Sequence, residues 1–358
     1  MKVLDANLKT KIISYIENNG PINLSSFMEM CLYDKHSGYY SNSNVIGKNG
    51  DFITAPEISQ VFGELIAANI IDNQIKSNFF KANIVDLGPG KGTLISDILS
   101  TIKKLKKSNY YLNPILYEKS DILRQIQKNK LKINNCSWIK NINEIDELPT
   151  YFIANEFFDA LPIDQYVSQN GKWYQRNINY KHNNFYFEVG EEIKSQPNTD
   201  PKPDGKILED GLTAKFYIEK ICKIILKNSG AIIIIDYGQV DKKFKERNTI
   251  QGVLNNKKSP IFENLGFTDL SSWVNFTDII NRIPKGLVYQ GPITQKKFLL
   301  NLGIKERFEN LSINKSPIEK RQLISDFERL ISSSFMGQAF KVMIIRSEKL
   351  SSFQGFKD

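Results

Sequence analysis

The stretch Ile84-Val85-Asp86-Leu87-Gly88-Pro89-Gly90-Lys91-Gly92-Thr93-Leu94 constrains this chain more than any other. An apolar run stops at glycines, and a helical stripe of Leu94, Ile95, Ile98 and Leu99 follows. The pattern reads as strand, glycine turn and helix within an α/β fold with a parallel sheet. Gly88, Gly90 and Gly92, with Pro89 between them, leave backbone room for a ligand. A single residue separates the glycines, unlike the G-x-G-x-x-G of dinucleotide binders, and the Gly-Lys-Ser/Thr of a phosphate loop is missing. A pyrophosphate is therefore disfavoured.

The next apolar run, Tyr111 to Tyr117, leads into Glu118. In a βαβ unit an acid at that strand end reaches the two ribose hydroxyls of an adenosine. Adenosine without phosphates points to S-adenosylmethionine, and Asp86 on the first strand suits its positively charged methionine end. The alternative is a glycine turn that binds nothing, with Glu118 a solvated strand end.

A second informative segment is Tyr151-Phe152-Ile153-Ala154, a buried strand that runs into Asn155-Glu156-Phe157-Phe158-Asp159-Ala160-Leu161-Pro162. Two carboxylates and an amide there occupy the place where open α/β sheets bind ligands. Upstream, the polar loop Asn49 to Glu57 carries Asp51, Phe52 and Thr54 ahead of a helix. It reads either as a function-bearing loop or as a cap with Pro56 in the first turn.

The chain has 358 residues, enough for one elaborated domain or two, and a formal charge of +9. Its basic residues come in short scattered runs, as solvated faces do, and no RNP motif or zinc finger accompanies them. Nucleic acid is not an expected partner. Cys31, Cys136 and Cys222 are far apart and the chain has two histidines, which supports neither a disulfide framework nor a metal site. Residues 1 to 19 resemble neither a signal nor a transit peptide, and no apolar run approaches the roughly 20 residues of a membrane span. A cytoplasmic location is the expectation; the oligomeric state is left open.

Helices are expected through Leu8 to Ile16, Leu24 to Leu32 with Asn23 or Ser25 as cap, Ile58 to Ile66, Asp121 to Leu131, Phe216 to Leu226, near Phe298 to Leu302, and Gln322 to Ile331. Strands are expected at Ser137 to Ile139, Ala231 to Ile235 and Lys341 to Ile345, with Leu287-Val288 a further element. Tyr166-Val167, an Asn170-Gly171 turn, Trp173-Tyr174 and Phe185 to Phe187 read as a β-hairpin insertion. Residues 241 to 260, rich in lysine, are expected to form a loop.

Four blocks, Gly50 to Glu64, Asp86 to Leu94, Asn155 to Pro162 and Asp236-Tyr237-Gly238, together resemble the MidA-like methyltransferases. The likeness covers most of the chain, and its specificity lies in the first and third blocks. It departs from the family pattern at Asn248-Thr249-Ile250, at Asn255-Asn256-Lys257 and at Lys296. The resemblance implies a Rossmann-like class I methyltransferase sheet with an N-terminal helical extension (1–79) and a methyltransferase domain (80–358) carrying a β-rich insertion at about 163–212. It implies S-adenosylmethionine as cofactor and methylation of an arginine in a protein substrate, of the respiratory complex I assembly type. A small-molecule methyltransferase and a cofactor-binding assembly chaperone without catalysis are the alternatives.

An arginine acceptor is a charged guanidinium that carboxylates must orient. Glu156 and Asp159 are the candidates for that catalytic task, with Glu57 third. The expected cofactor set is Asp86, Gly88, Pro89, Gly90, Gly92, Glu118 and Asn155, with Asp51, Phe52 and Thr54 from the upstream loop.

Overall fold

The computed structural model describes residues 2–41, 54–105, 109–132, 135–194, 203–240 and 248–356, with the side chains of 2–7 left aside. Two compact units emerge, and each is assembled from separate stretches of chain. The first comprises Met1–Phe52, Asp159–Tyr217 and Asp241–Trp273; the second comprises Ile53–Phe158, Ile218–Val240 and Val274–Asp358. These divisions fall at other points than the expected 79/80 boundary.

Among the described residues the second unit holds an eight-stranded sheet. Its path runs Leu287–Thr294, Phe340–Ser347, Gly230–Gln239, Thr150–Asn155, Lys81–Leu87, Tyr111–Tyr117 and Ser137–Ile139, with Val274–Asn275 paired to the end of Gly230–Gln239. From Gly230–Gln239 to Ser137–Ile139 every neighbour is parallel, whereas Phe340–Ser347 runs antiparallel to Gly230–Gln239. Burial on both faces explains the continuous apolar runs: Ala231 to Ile235 and Tyr151 to Ala154 are all 0% exposed. Alternate residues face opposite sides. Ile84, Ile153 and Ile233 join Phe62 and Ile66 of the Gln60–Lys76 helix and Leu94 and Ile98 of the Thr93–Leu105 helix in one core.

Sequence order reverses in the middle of this sheet. Tyr111–Tyr117 and Ser137–Ile139 lie to one side of Lys81–Leu87, and Thr150–Asn155 and Gly230–Gln239 lie to the other. The crossovers leave Lys81–Leu87 and Thr150–Asn155 in opposite directions, so a crevice opens outside their carboxyl ends.

The first unit packs the helices Lys2–Asn19 and Leu24–Tyr33 on an antiparallel sheet of Ile22–Asn23, Lys172–Lys181, Asp164–Gln169 and Ile207–Asp210, with Asn184–Glu192 paired to Lys172–Lys181. Asn23 caps Leu24–Tyr33, accepting from the Ser26 N–H at 3.1 Å. The expected hairpin turn forms: Asn170 and Gly171 both have positive φ, 51° and 72°, as a two-residue hairpin turn requires. Phe27, Met28 and Leu32 share a core with Ile178, Phe185 and Leu270.

The loop expected over 241–260 is corrected in part. Gln251–Leu254 is a strand between Lys257–Ser259 and Asp269–Ser271, while 241–247 lie outside the described residues. Short strands with lysines on exposed positions carry too little apolar alternation to stand out. The Ile304–Ser312 helix was not among the expected elements, although Ile304, Phe308 and Leu311 recur at helical spacing.

Gly230 opens its strand with φ +128°, and a Cβ there would stand 2.0 Å from the Thr150 carbonyl oxygen. Gly230→Ala is expected to cost about 2–4 kcal/mol, since the clash is with backbone that a parallel pair holds fixed. Urea unfolding measures this, and an unchanged midpoint would contradict the register Gly230↔Thr150.

Candidate active site

The glycine turn joins Lys81–Leu87 to the Thr93–Leu105 helix. Gly88, Gly90 and Gly92 all adopt left-handed φ, at 62°, 53° and 74°. The Gly88 N–H donates to Tyr117 O at 3.0 Å and the Gly92 N–H to Pro89 O at 2.7 Å, which holds the turn tight. A Cβ on Gly88 would lie 3.0 Å from the Phe157 ring.

The two strands that flank the reversal each carry, at or next to the carboxyl end, a buried acceptor that lacks a donor among the described residues. Asp86 is 2% exposed, and its Oδ2 has no hydrogen-bond partner among the described residues; the same holds for Asn155 Oδ1. Burial pushes the Asp86 carboxyl up to about 8, and the nearby charge of Glu118 adds to the rise. Burial also raises Glu118, to about 7, against the pull of the Ser120 N–H at 2.8 Å and the Gln127 side-chain amide at 3.2 Å. The arrangement is short of donors and of positive charge. An adenosine ribose could donate to Glu118, and an α-ammonium could satisfy Asp86 and Asn155, so the residues fit S-adenosylmethionine.

Gln127 is a site residue that sequence reasoning missed. It is fully buried, its Nε2 donates to Gly90 O at 2.7 Å and to Glu118 Oε2, and its Oε1 accepts from the Trp138 indole at 2.9 Å. One side chain thus ties the glycine turn to the strand-end acid. The available signal was an amide inside the i, i+4 row Leu123, Gln127, Leu131, where an apolar residue is expected.

Glu156 follows the Thr150–Asn155 strand with φ +52°. Its backbone N–H donates to Ile235 O at 2.9 Å, and its Oε1 accepts from Ala55 N at 3.4 Å and Asn155 Nδ2 at 3.2 Å. Phe157 and Phe158 are buried. Glu57 accepts a hydrogen bond from the Thr93 hydroxyl, which also receives one from Lys130 at 2.6 Å. Thr54 stands at the N-cap of Ala55–Ile58 without a side-chain cap bond, and Pro56 occupies the first turn. Asp51 and Phe52 lie outside the described residues.

Asp159 belongs to the first unit, where its backbone oxygen accepts from the Ser272 N–H at 2.9 Å. Burial raises its carboxyl to about 7, although the Ala160 N–H pulls the other way. The second unit therefore brings together the glycine turn, Asp86, Glu118, Asn155, Glu156, Glu57 and Thr54, but not Asp159. The departure at Asn248-Thr249-Ile250 is a structural clasp in the first unit: Thr249 donates both its N–H and its hydroxyl to buried Glu209 at 2.7 Å.

A doubly wound sheet with a glycine turn, a ribose-type acid and unsatisfied acceptors at its reversal defines the nucleoside-cofactor class to which methyltransferases belong. Residues 65–293, more than half of the 358-residue chain, match the family described as "Putative S-adenosyl-L-methionine-dependent methyltransferase", and the chain belongs to that family. It is a methyltransferase with S-adenosylmethionine as cofactor. The chain is similar to the zebrafish (Danio rerio) mitochondrial protein arginine methyltransferase NDUFAF7, 29% identical over 364 residues, covering 94% of this chain and 85% of that protein. The human protein of that name is 28% identical, covering 91% and 80%, and the Caenorhabditis elegans homolog is 28% identical, covering 94% and 85%.

The fold is that of a Burkholderia thailandensis protein solved with S-adenosyl-homocysteine bound, at a TM-score of 0.81 and 21% identity, covering 99% of this chain and 95% of that one. A native crystal structure from the same organism gives 0.82 at 22% identity, covering 98% and 94%. One expectation is corrected: the curated relatives are named as mitochondrial, which contradicts the cytoplasmic reading. Free thiols at Cys31, Cys136 and Cys222 fit any reducing compartment, so cysteine usage never separated one from another.

Because burial raises the Asp86 carboxyl from 3.8 to about 8, the folded chain binds a proton there that the unfolded chain has already lost. That contribution to stability is complete below pH about 4 and is lost as pH rises through about 8. The difference in melting temperature between the wild type and Asp86→Asn is expected to drift steadily from pH 4 to pH 8 and then level off. A difference that stays flat across that window would show that Asp86 carries no raised pKa.

Proposed function

We propose that this chain transfers the methyl group of S-adenosylmethionine to an arginine guanidinium in a protein. The likeness to the MidA-like family extends the proposal to an acceptor among respiratory complex I subunits. What carries the reading is Glu156, a carboxylate fixed at the end of Thr150–Asn155 with its oxygen hydrogen-bonded to Asn155, whose own Oδ1 lacks a donor. The names of the curated relatives support the choice of arginine.

Asp86 and Asn155 would hold the α-ammonium, Glu118 the ribose hydroxyls, and the backbone of Gly88, Pro89, Gly90 and Gly92 the space between. Asp51, Phe52 and Thr54 of the upstream segment remain candidates for contact with the same ligand. The bound cofactor supplies an electrophilic methyl on a sulfonium centre. Catalysis then rests on alignment behind that methyl and on exclusion of water.

Glu156 would orient the guanidinium through charge-assisted hydrogen bonds. During transfer a guanidinium nitrogen would form an N–C bond as the S–CH3 bond breaks and its electron pair stays on sulfur, and loss of one N–H proton would leave the methylated guanidinium a monocation. Glu156, which holds that N–H, would receive the proton; Asp159, which falls in the first unit, carries no step of the proposal. Glu57 is the other carboxylate of the proposal, acting through the Thr93 hydroxyl at the start of the helix after the glycine turn.

Gly90 has φ +53°, a conformation that a β-branched residue adopts at a cost of roughly 1–2 kcal/mol, and any side chain there enters the ligand's space. Gly90→Val is expected to weaken S-adenosylmethionine binding at least about tenfold in calorimetry while a cooperative melt persists. Wild-type affinity would sink the assignment of the glycine turn.

Glu156→Gln keeps the shape and removes the charge. Losing a charge-assisted hydrogen bond costs about 1.5–3 kcal/mol, so methyl transfer to an arginine peptide array should fall by roughly one to two orders of magnitude. Cofactor affinity should stay within about threefold. Weakened cofactor binding with unchanged turnover at saturation would assign Glu156 to the cofactor instead.

A further inference from the structure

Asp236 ends the apolar run of the Gly230–Gln239 strand and is 0% exposed. A carboxylate in such a place needs donors, and it takes them from the backbone of the turn that carries Glu156. Its Oδ2 accepts from Phe157 N at 3.2 Å and from Phe158 N at 2.8 Å, and its Oδ1 accepts from Tyr237 N at 2.8 Å. The Glu156 N–H is bound by Ile235 O on the same strand. Three consecutive amides, 156 to 158, are thus pinned to one strand end.

That pinning accounts for an otherwise unfavourable conformation. Glu156 has φ +52°, a region that non-glycine residues enter only when their surroundings hold them there. It also fixes the next side chain, because the Phe157 ring lies against Gly88, where a Cβ would come within 3.0 Å, and meets Tyr117 edge-on at 6.5 Å. One buried charge therefore sets both the Glu156 carboxylate and the wall of the glycine turn.

We propose that Asp236 is the positioning residue of the methyl transfer, holding the Glu156 turn in its left-handed conformation so that the carboxylate is presented in a single orientation. The inference rests on the reading of Glu156 given above. An amide in place of the carboxylate would turn an N–H₂ toward backbone N–H groups, so Asp236→Asn must break at least one of the three contacts.

The test is a double-mutant cycle of Asp236→Asn and Glu156→Gln, read as turnover on the peptide that the wild type methylates fastest on an arginine array, with S-adenosylmethionine saturating. Asp236→Asn alone is expected to lower kcat about tenfold or more, but to change it less than about threefold in the Glu156→Gln background. Cofactor Kd, measured in parallel by calorimetry, is expected to shift less than about threefold. Additive losses, with Glu156→Gln itself damaging, overturn the positioning role and leave the Glu156 reading standing. An undamaged Glu156→Gln variant overturns the Glu156 reading and the positioning role with it. If Asp236→Asn fails to melt cooperatively, the cycle is run with Asp236→Glu, which keeps the charge but displaces it by a methylene; additivity there is equally fatal.

Discussion

The reversal of strand order between Lys81–Leu87 and Thr150–Asn155 is the constraint on which the rest of the site depends. Elsewhere in a parallel sheet the connection that leaves one strand covers the end of its neighbour. At the reversal the two connections diverge, and the strand ends face an opening. Asp86, the glycine turn, Asn155 and Glu156 are all placed by that single topological fact, since Asp86 is the next-to-last residue of Lys81–Leu87, Asn155 the last of Thr150–Asn155, and the glycine turn and Glu156 follow directly on these strands.

Electrostatics divides the labour within the opening. Asp86 and Glu118 are both buried acids on adjacent strands, yet they are raised to different degrees, about 8 against about 7. The difference follows from donors: Glu118 has a backbone N–H and a glutamine amide, whereas one oxygen of Asp86 has neither among the described residues. A partly satisfied carboxylate suits hydroxyl groups, which bring modest donors and no charge. An unsatisfied one calls for a cation, and leaving it empty favours protonation over ionisation.

Most of the second unit was legible from residue pattern. Tyr111–Tyr117 and Ser137–Ile139 have the expected bounds, and the Ala231 core of the Gly230–Gln239 strand is a run of isoleucine that only a doubly covered strand accommodates. The strand-turn-helix at Ile84–Leu94 was legible because glycine leaves a local mark. What escaped is who bonds whom. Gln127 stands out as an amide in an apolar row and Asp236 as the acid of a resemblance block, but their importance comes from partners 37 and 78 to 79 residues away, which a lone amide or acid in a sequence does not name. The split between Glu156 and Asp159 escaped for a related reason, since three residues of sequence separation say nothing of a unit boundary that falls between Phe158 and Asp159.

The interleaving of the two units bears on how the chain is made. Leu8, Ile12 and Phe27 share their core with Ile178, Phe185 and Leu270. At roughly 5–20 residues per second a ribosome needs about 13 to 52 s to travel from the first of these positions to the last. Until Ile178 and Phe185 emerge the apolar faces of the two N-terminal helices lack these partners, and until Leu270 emerges their core stays incomplete. The second unit meanwhile brackets its own late strand, Phe340–Ser347, against Gly230–Gln239, so neither unit is complete until well after the other has begun. Such a chain asks for shelter during synthesis, and its dependence on a holding chaperone should be set less by its final stability than by the order in which its segments emerge.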